Sequence, residues 1–338
     1  MQLTYYPYTL ELKHQFNLAG SSRITTPVMM VEIEYENFTG YGEASMPPYL
    51  NETQRTAADF LSNADLNQFN DPFELEAILA YVDDIAPGNS AVKAAIDIAL
   101  HDLVGKILNK PWFALWGYNQ KKTPYSSYTI GIDTPEMVKM KVEEAKDFRI
   151  LKVKLGRDTD RQMIETIRSV TNKPLIADAN QGWKDRHYAL DIIEWCAEKG
   201  VLMIEQPMQK DNLEDHAWLT ERSPIPVIAD ESMQRLSDIP RIKGAFSGIN
   251  IKLMKSTGMR EAKRMIEVSK ALGLKVMLGC MTETSCAISA ASHLSPMADW
   301  ADLDGAILIK NDKFEGTKII NGKISLRNRP GIGAVKLF

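Results

Sequence analysis

The sequence predicts an α/β fold, a (β/α)₈-type barrel preceded by an N-terminal α+β capping domain that the C-terminal segment completes. The first observation behind this is periodic. Between residues 125 and 304 an apolar, β-prone run ends in a polar or glycine residue roughly every 25 positions, eight times in succession. The runs are SSYTIGI, ILKVK, PLIAD, VLMIE, PVIAD, GINIK, KVMLG and WADLD. The second observation is what separates them: mostly amphipathic, helix-length stretches such as PEMVKMKVEEAKDF and KDRHYALDIIEWCAEKG. Strands alternating with helices imply parallel βαβ units, and eight such units close a barrel. The third is length, since 338 residues exceed the roughly 250 of a minimal barrel by enough for a smaller module.

The elements follow in order. Residues 1–115 form the α+β module. It opens with β-structure in TYYPYTLELKH and PVMMVEIEYENFTGYGEAS, where Asn37 and Gly40 mark a turn. Helices are expected over 52–85 and 90–109; in the second, Ala94, Ala95, Ile98, Leu103 and Ile107 recur near helical spacing, and Asn89 or Ser90 is placed to cap the start. Trp112 and Trp116 are expected in the core or at the domain interface. Residues 116–310 form the barrel. Residues 311–338 carry short β-like pieces and glycine turns without a helix-length segment, so they are expected to fold back on the first module. Two polar loops, LKHQFNLAGSSRITTP and PPYLNETQRT, are the natural lids over the barrel mouth.

Composition narrows the partners. A formal charge of -4 with no basic run gives no electrostatic footprint for nucleic acid or an anionic membrane surface. No run approaches the ~18 apolar residues of a membrane span. Cys196, Cys280 and Cys286 match neither a disulfide framework nor a zinc pattern, and the N-terminus lacks the basic start and apolar core of a signal peptide. A cytoplasmic protein is expected.

Active sites of such barrels sit at the C-terminal ends of the strands, where these polar residues converge. Asp178, Glu205 and Asp230 end three consecutive strands, 27 and 25 residues apart. Three carboxylates directed at one point need a cation, and oxygen-only ligands favour Mg²⁺, with Mn²⁺ as a possible substitute. Asn180 and Glu231 are candidates to orient metal-bound water or to support the ligands. Lys152 and Lys154 share a strand face and point into the barrel; Lys252 ends the sixth strand, across the ring. Two bases on opposite sides of one carbon are what 1,1-proton transfer with inversion requires. An ordinary lysine, near 10.4, is too basic for this at neutral pH, and cationic neighbours such as Lys152 and the metal are expected to lower it.

The set K-x-K, D-A-N, E-Q-P, A-D-E-S, N-I-K and D-L-D-G, in this order, resembles the muconate-lactonizing subgroup of the enolase superfamily. GYGEAS (40–45), AIDIALHDLVGK (95–106) and PGIG (330–333) extend the resemblance over nearly the whole chain. It implies that Asp178, Glu205 and Asp230 bind Mg²⁺, that Lys154 and Lys252 are the acid/base pair, and that Lys152 assists Lys154. Within the subgroup, D-x-D after the eighth strand is similar to the dipeptide epimerases, implying that Asp302 and Asp304 hold a dipeptide's ammonium without an adjacent cation. Thr129, Cys280, Met281 and Thr282 are then further substrate contacts. In relatives that accept Ala-Glu from murein, a lid cation pairs with the substrate's side-chain carboxylate, and Arg23 is positioned for this. Phe16, Leu18, Ile24 and Tyr49 are expected to line a pocket for a small or hydrophobic side chain. The substrate expected is therefore an alanine-containing dipeptide with a broad second residue, with Ala-Glu close behind. The alternatives are a lyase of the same subgroup (o-succinylbenzoate synthase or muconate cycloisomerase), an N-acylamino acid racemase, and a non-catalytic metal-dependent binding protein. Strand seven lacks the histidine of a mandelate-racemase-type base, and His293, a helix later, is expected to serve packing or surface. Related barrels commonly assemble through outer helices, so a homo-oligomer is possible.

Overall fold

A computed structural model describes residues 1–337. Three antiparallel strands lead the chain, β1 (Gln2–Asn17), β2 (Ser22–Tyr35) and β3 (Phe38–Ser45), paired in that order. The β2–β3 turn falls on Glu36 and Asn37, with Tyr35 opposite Phe38 and Glu36 in the left-handed region (φ 52°). Gly40 is no part of it. Gly40 and Gly42 lie inside β3 against helix α3 (Ser90–Ile107), where a methyl group would sit 2.0 Å from Ala99 O and 1.9 Å from Ala95 O. The strand can approach the helix backbone this closely only without side chains at both positions.

Helices α1 (Gln54–Ser62) and α2 (Leu75–Ile85) precede α3. Every residue of α3 from Ala91 to Gly105 is buried, as expected of a helix enclosed on all sides rather than one with a solvated face. Neither Asn89 nor Ser90 caps it. Asn89 is left-handed and makes no side-chain cap; the Glu52 carboxylate accepts from Ala91 N (3.1 Å) and Val92 N (3.4 Å) instead. An acidic group from another segment serves the exposed N–H groups and the positive helix end together. Trp112 and Trp116, on and just after α4 (Trp112–Leu115), pack in a tilted pair with ring centres 5.1 Å apart, and Trp112 also lies 4.5 Å from the His101 ring. They are packing residues.

The barrel strands are β4 (Ser127–Ile130), β5 (Ile150–Lys154), β6 (Leu175–Asp178), β7 (Val201–Glu205), β8 (Val227–Ala229), β9 (Gly248–Ile251), β10 (Lys275–Gly279) and β11 (Trp300–Asp302). Sequential neighbours pair in parallel. Ser126 bridges Ala301 and accepts, through Oγ, from Leu303 N at 2.8 Å, bringing β11 beside β4 and closing the ring. Outside it lie α5 (Pro135–Glu144), α6 (Asp160–Arg168), α7 (Arg186–Glu198), α8 (Leu213–Arg222), the single turn α9 (Ile239–Ile242), α10 (Met259–Ala271) and α11 (Ser285–Ser292). No helix among the described residues is long and apolar enough to cross a membrane.

The two-residue strand period builds the barrel interior in layers. Ile176, Met203, Ile228 and Met277 form one small apolar cluster. Two positions on, along the same faces, come Asp178, Glu205, Asp230 and Gly279. A dry plug thus lies directly beneath the polar mouth. The last segment carries β12 (Phe314–Glu315), β13 (Lys318–Ile320), β14 (Lys323–Ser325) and β15 (Val335–Lys336), and it returns to the front sheet as expected. Asn311 Oδ1 accepts from Glu11 N at 2.9 Å, and Lys336 pairs with Glu32 at 2.7 Å. Buried Asp102 ties the three parts together, accepting from Tyr41 N and Ile332 N at 3.0 Å each and from Lys106 Nζ at 2.6 Å.

Candidate active site

Asp178 and Glu205 end β6 and β7, and Asp230 follows β8. One oxygen from each lies within 4.8 Å of the others, and all three side chains are buried. Lys154 Nζ is 2.6 Å from Asp178 Oδ2, and Lys252 Nζ is 2.7 Å from Asp230 Oδ2. Their strands stand four places apart in a ring of eight, so the two ammonium groups approach from opposite walls. Lys152 reaches deeper, to Glu205 Oε2 (2.7 Å), Asp302 Oδ2 (2.9 Å) and Asp178 Oδ2 (3.3 Å).

These charges set one another. Burial opposes charge on Asp178 and Asp230, yet the lysines outweigh it and hold both below the ordinary carboxylate range: Lys154 and Lys152 for the first, Lys252 and Lys255 for the second. Glu205 is raised by burial and by Asp178. Burial and the neighbouring Asp230 push Glu231 up to about 8. At Lys252 burial disfavours the charge, but Asp230 overrides burial and holds it well above the ordinary value.

The donor set fits a hard divalent cation. Its oxygens belong to carboxylates only, and Glu205 Oε2, beside the Lys152 ammonium at 2.7 Å, has no further donor. The three carboxylates converge closely enough to hold one such ion, and Mg²⁺ would fit them.

Three supporting residues escaped the sequence reading. Lys255 donates to Asp230 Oδ1 and, at 2.7 Å, to Asp230 O. Asn250 Nδ2 donates to Glu205 Oε1 at 2.7 Å. The Gln206 side-chain oxygen accepts from Asp230 N (2.9 Å) and Ser232 N (3.0 Å), pinning the turn that carries Asp230. The parity of Asn250 with Lys252 was a readable signal for that residue. Asn180, Gln181 and Gln206 hold positive φ of 44°, 64° and 38° at the strand ends, strain of the kind that collects at functional sites. Asn180 N donates to Asp178 Oδ1 at 2.9 Å, and its Nδ2 to Glu231 Oε1 at 3.4 Å.

A cavity of about 270 Å³ opens above the carboxylates. Of the site residues expected from sequence, all line it except Asp178 and Glu205, which lie in its floor. Phe16, Leu18 and Tyr49 line it too; Ile24 does not. Residues alternate across a strand, so Arg23 turns inward and Ile24 outward, 63 % exposed. Leu308 supplies apolar wall in its place.

The D-x-D pair is less free of cations than expected. Ring closure sets β11 two strands from β5, within reach of Lys152, and Asp302 is held low by that ammonium against the pull of burial. Asp302 also accepts from Ser127 Oγ at 2.7 Å. Asp304 accepts from Thr129 N at 2.6 Å, and burial together with Asp302 pushes it up to about 7.

Both loops expected as lids cover the mouth. Asn17 and Ile132 exchange hydrogen bonds at 3.0 and 3.1 Å, and Arg157 donates to Leu18 O (2.6 Å) and Ala19 O (3.4 Å). Tyr49 of the second loop donates its hydroxyl to Met281 Sδ at 2.6 Å. Arg23 donates to Thr282 Oγ1 at 3.3 Å and lies 5.0 Å over the Phe16 ring. Its Nε is buried without a partner, and burial lowers its pKa. His293 lies far from this chemistry in role: it is buried, stacks on Phe113 and accepts from Phe113 N at 3.1 Å.

Residues 4–117 match the N-terminal domain of mandelate racemase / muconate lactonizing enzyme, and residues 136–335 match the enolase C-terminal domain-like family. This chain belongs to the mandelate racemase / muconate lactonizing enzyme family. An L-Ala-D/L-Glu epimerase of Bacteroides thetaiotaomicron is 62% identical to it over 338 residues, covering 100% of this chain and 88% of the relative. Among solved structures, the substrate-liganded L-Ala-D/L-Glu epimerase of Bacillus subtilis superimposes with a TM-score of 0.93 at 28% identity, covering 99% of this chain and 98% of that one. A dipeptide epimerase of Enterococcus faecalis, complexed with Mg and L-Leu-L-Tyr, gives 0.92 at 30% identity, covering 98% of each. This member of the family is an enzyme, an isomerase of the racemase and epimerase class.

Proposed function

We propose that the enzyme is a Mg²⁺-dependent dipeptide epimerase that inverts the α-carbon of the C-terminal residue of an Ala-Glu-type dipeptide by proton transfer between two lysines. The observation that carries this reading is the placement of Lys154 and Lys252 on opposite walls, each beside a different carboxylate of one triad. A carbon held between them is open to proton removal on one face and proton return on the other. Mg²⁺ held by Asp178, Glu205 and Asp230 would draw in the substrate's terminal carboxylate, acidify its α-hydrogen and relieve the lysines of their carboxylate partners. Lys152, surrounded by Glu205, Asp302 and Asp178, is a fixed cation that assists Lys154 and does not exchange protons itself.

Asp302 and Asp304 are the acceptors for the dipeptide ammonium, with Asp304 the more available of the two. Thr129, Cys280, Met281 and Thr282 bound the dipeptide backbone, while Asn180 and Glu231 support the metal ligands. Arg23 has no carboxylate partner among the described residues, and a guanidinium so placed is matched by an acidic side chain. The relative at 62% identity, named for Ala-Glu, agrees with this choice.

The test is proton NMR in D₂O with Mg²⁺ on L-Ala-L-Glu and L-Ala-L-Leu. Loss of the C-terminal α-hydrogen signal together with the appearance of L-Ala-D-Glu is expected, faster than any reaction of the leucine dipeptide. Absence of exchange in both, at full metal occupancy, would sink the reading.

A further inference from the structure

Two acidic side chains lie buried where the front sheet meets the barrel, outside the chemistry described above. Glu43, on β3, is completely buried and crosses to the start of α11. Its carboxylate accepts from Thr284 N at 2.9 and 3.1 Å, from Thr284 Oγ1 at 2.5 Å and from Ala287 N at 3.4 Å. Thr284 is the helix's own N-cap, and its Oγ1 accepts from Cys286 N at 3.1 Å. Two residues along β3, on the same face, Ser45 donates its hydroxyl to Thr282 O at 2.6 Å. Glu283 turns back to accept from Met281 N at 2.8 Å. The loop from Cys280 to Thr284 is therefore shaped by hydrogen bonds from the cap on one side and from its own glutamate on the other. This loop carries cavity wall at Cys280, Met281 and Thr282, and Thr282 Oγ1 is the acceptor that Arg23 uses.

Holding these carboxyls here is unfavourable for stability alone. Burial pushes Glu43 up to about 7, and burial with Glu43 nearby pushes Glu283 up to about 8. A fold under selection for stability only would place uncharged donors and acceptors at this junction.

We propose that Glu43 is a positioning residue for substrate selection, holding the Met281–Thr284 loop from the capping module so that Thr282 aims Arg23 into the cavity. The kinetic consequence rests on the dipeptide-epimerase reading; the structural consequence does not. In Glu43→Gln one oxygen still accepts, but the new NH₂ confronts the Thr284 N–H and O–H donors. The KM for L-Ala-L-Glu should rise about tenfold or more, with kcat changed far less, because a charged hydrogen-bond acceptor is lost. The preference for L-Ala-L-Glu over L-Ala-L-Leu should shrink by a similar factor. Ser45→Ala, a smaller change, should move both in the same direction by less.

Amide hydrogen exchange followed by mass spectrometry supplies the second readout on the same variants. Faster exchange confined to residues 281–287 is expected. Wild-type KM and preference in Glu43→Gln, or acceleration spread evenly over the chain, would overturn the proposal by reducing Glu43 to a general stabilising contact. Should the wild-type enzyme exchange the α-hydrogen of no dipeptide, the functional reading fails separately, and the amide-exchange pattern alone decides whether Glu43 orders the loop.

Discussion

Lys152 Nζ stands 2.9 Å from Asp302 Oδ2, which joins the strand that carries the proposed acid/base Lys154 to the strand proposed to hold the substrate ammonium. The two aspartates of the D-x-D pair are consequently unequal. Asp302 is already paired with the Lys152 ammonium, whereas Asp304 accepts from Thr129 and is pushed up by burial and by Asp302. Asp304→Asn should therefore raise the KM of the dipeptide by roughly tenfold to a hundredfold, the ~1.5–3 kcal/mol of a charged hydrogen bond, with little loss of melting temperature. Asp302→Asn should cost binding and also lower the melting temperature, since it strips a buried ammonium of one partner. Initial-rate kinetics and thermal melts on the pair check this; equal and mild effects would point to a substrate without an ammonium, as in the lyases of the subgroup.

Lys154→Ala and Lys252→Ala should each abolish epimerisation, with losses of about 10²–10⁴ or more, as for removal of a general acid/base. Each variant retains the lysine on one wall, so exchange of the α-hydrogen with D₂O is expected to survive for one configuration of substrate only, a different one in each variant. NMR of both diastereomers reads this directly. Undiminished turnover in either variant would refute the two-base assignment.

Removing divalent metal should silence the enzyme and lower its stability. Where Mg²⁺ reaches about 100 times its Kd, binding to the native state alone stabilises by roughly 2.7 kcal/mol. Melts with EDTA and with graded Mg²⁺ should show the midpoint climbing with concentration. Asp230→Asn should abolish that climb, and a midpoint indifferent to Mg²⁺ would remove the metal from the mechanism.

Arg23→Met should reverse the substrate preference. Loss of the guanidinium leaves Phe16, Leu18 and Leu308 as the dominant walls, so kcat/KM for L-Ala-L-Glu should fall by about tenfold to a hundredfold while L-Ala-L-Leu gains. Competition between the two dipeptides in one NMR tube measures the change. An unaltered ratio would show that Arg23 does not meet the substrate side chain.

His293 links stability to pH. Burial holds it neutral, down to about 4, while the unfolded chain binds its proton near 6.5. The contribution of His293 is complete above about 6.5 and disappears as pH falls toward 4, on the order of 3 kcal/mol in all. Denaturant unfolding at pH 7, 5.5 and 4.5 should show a shallower acid loss in His293→Gln than in the wild type. Parallel curves would contradict the assignment.

What could be read from the sequence was what depends on spacing within one segment. Strand runs ending in Asp178, Glu205, Asp230 and Lys252 announce the barrel and its charged mouth because the side-chain period is fixed by the strand itself. Contacts that need two segments at once stayed hidden. Lys152 meets Asp302 only once the ring is closed, and Gly40 is a packing glycine only once α3 lies on β3. Glu52 displaces Asn89 as a helix cap from 38 residues away, in contact with Ala91 at 39. Ile24 was misplaced for a subtler reason: alternation tells that it and Arg23 face opposite ways, but not which of them faces the cavity.

The lid is fastened by its carbonyls. Arg157 grips Leu18 O and Ala19 O, atoms that every amino acid supplies, so this anchor makes no demand on the side chains of the 18–24 stretch. Mutational drift there can retune which dipeptide is accepted while the lid's anchor and the lysine pair stay untouched. A change of substrate range is thereby separated, residue by residue, from the proposed proton chemistry beneath it.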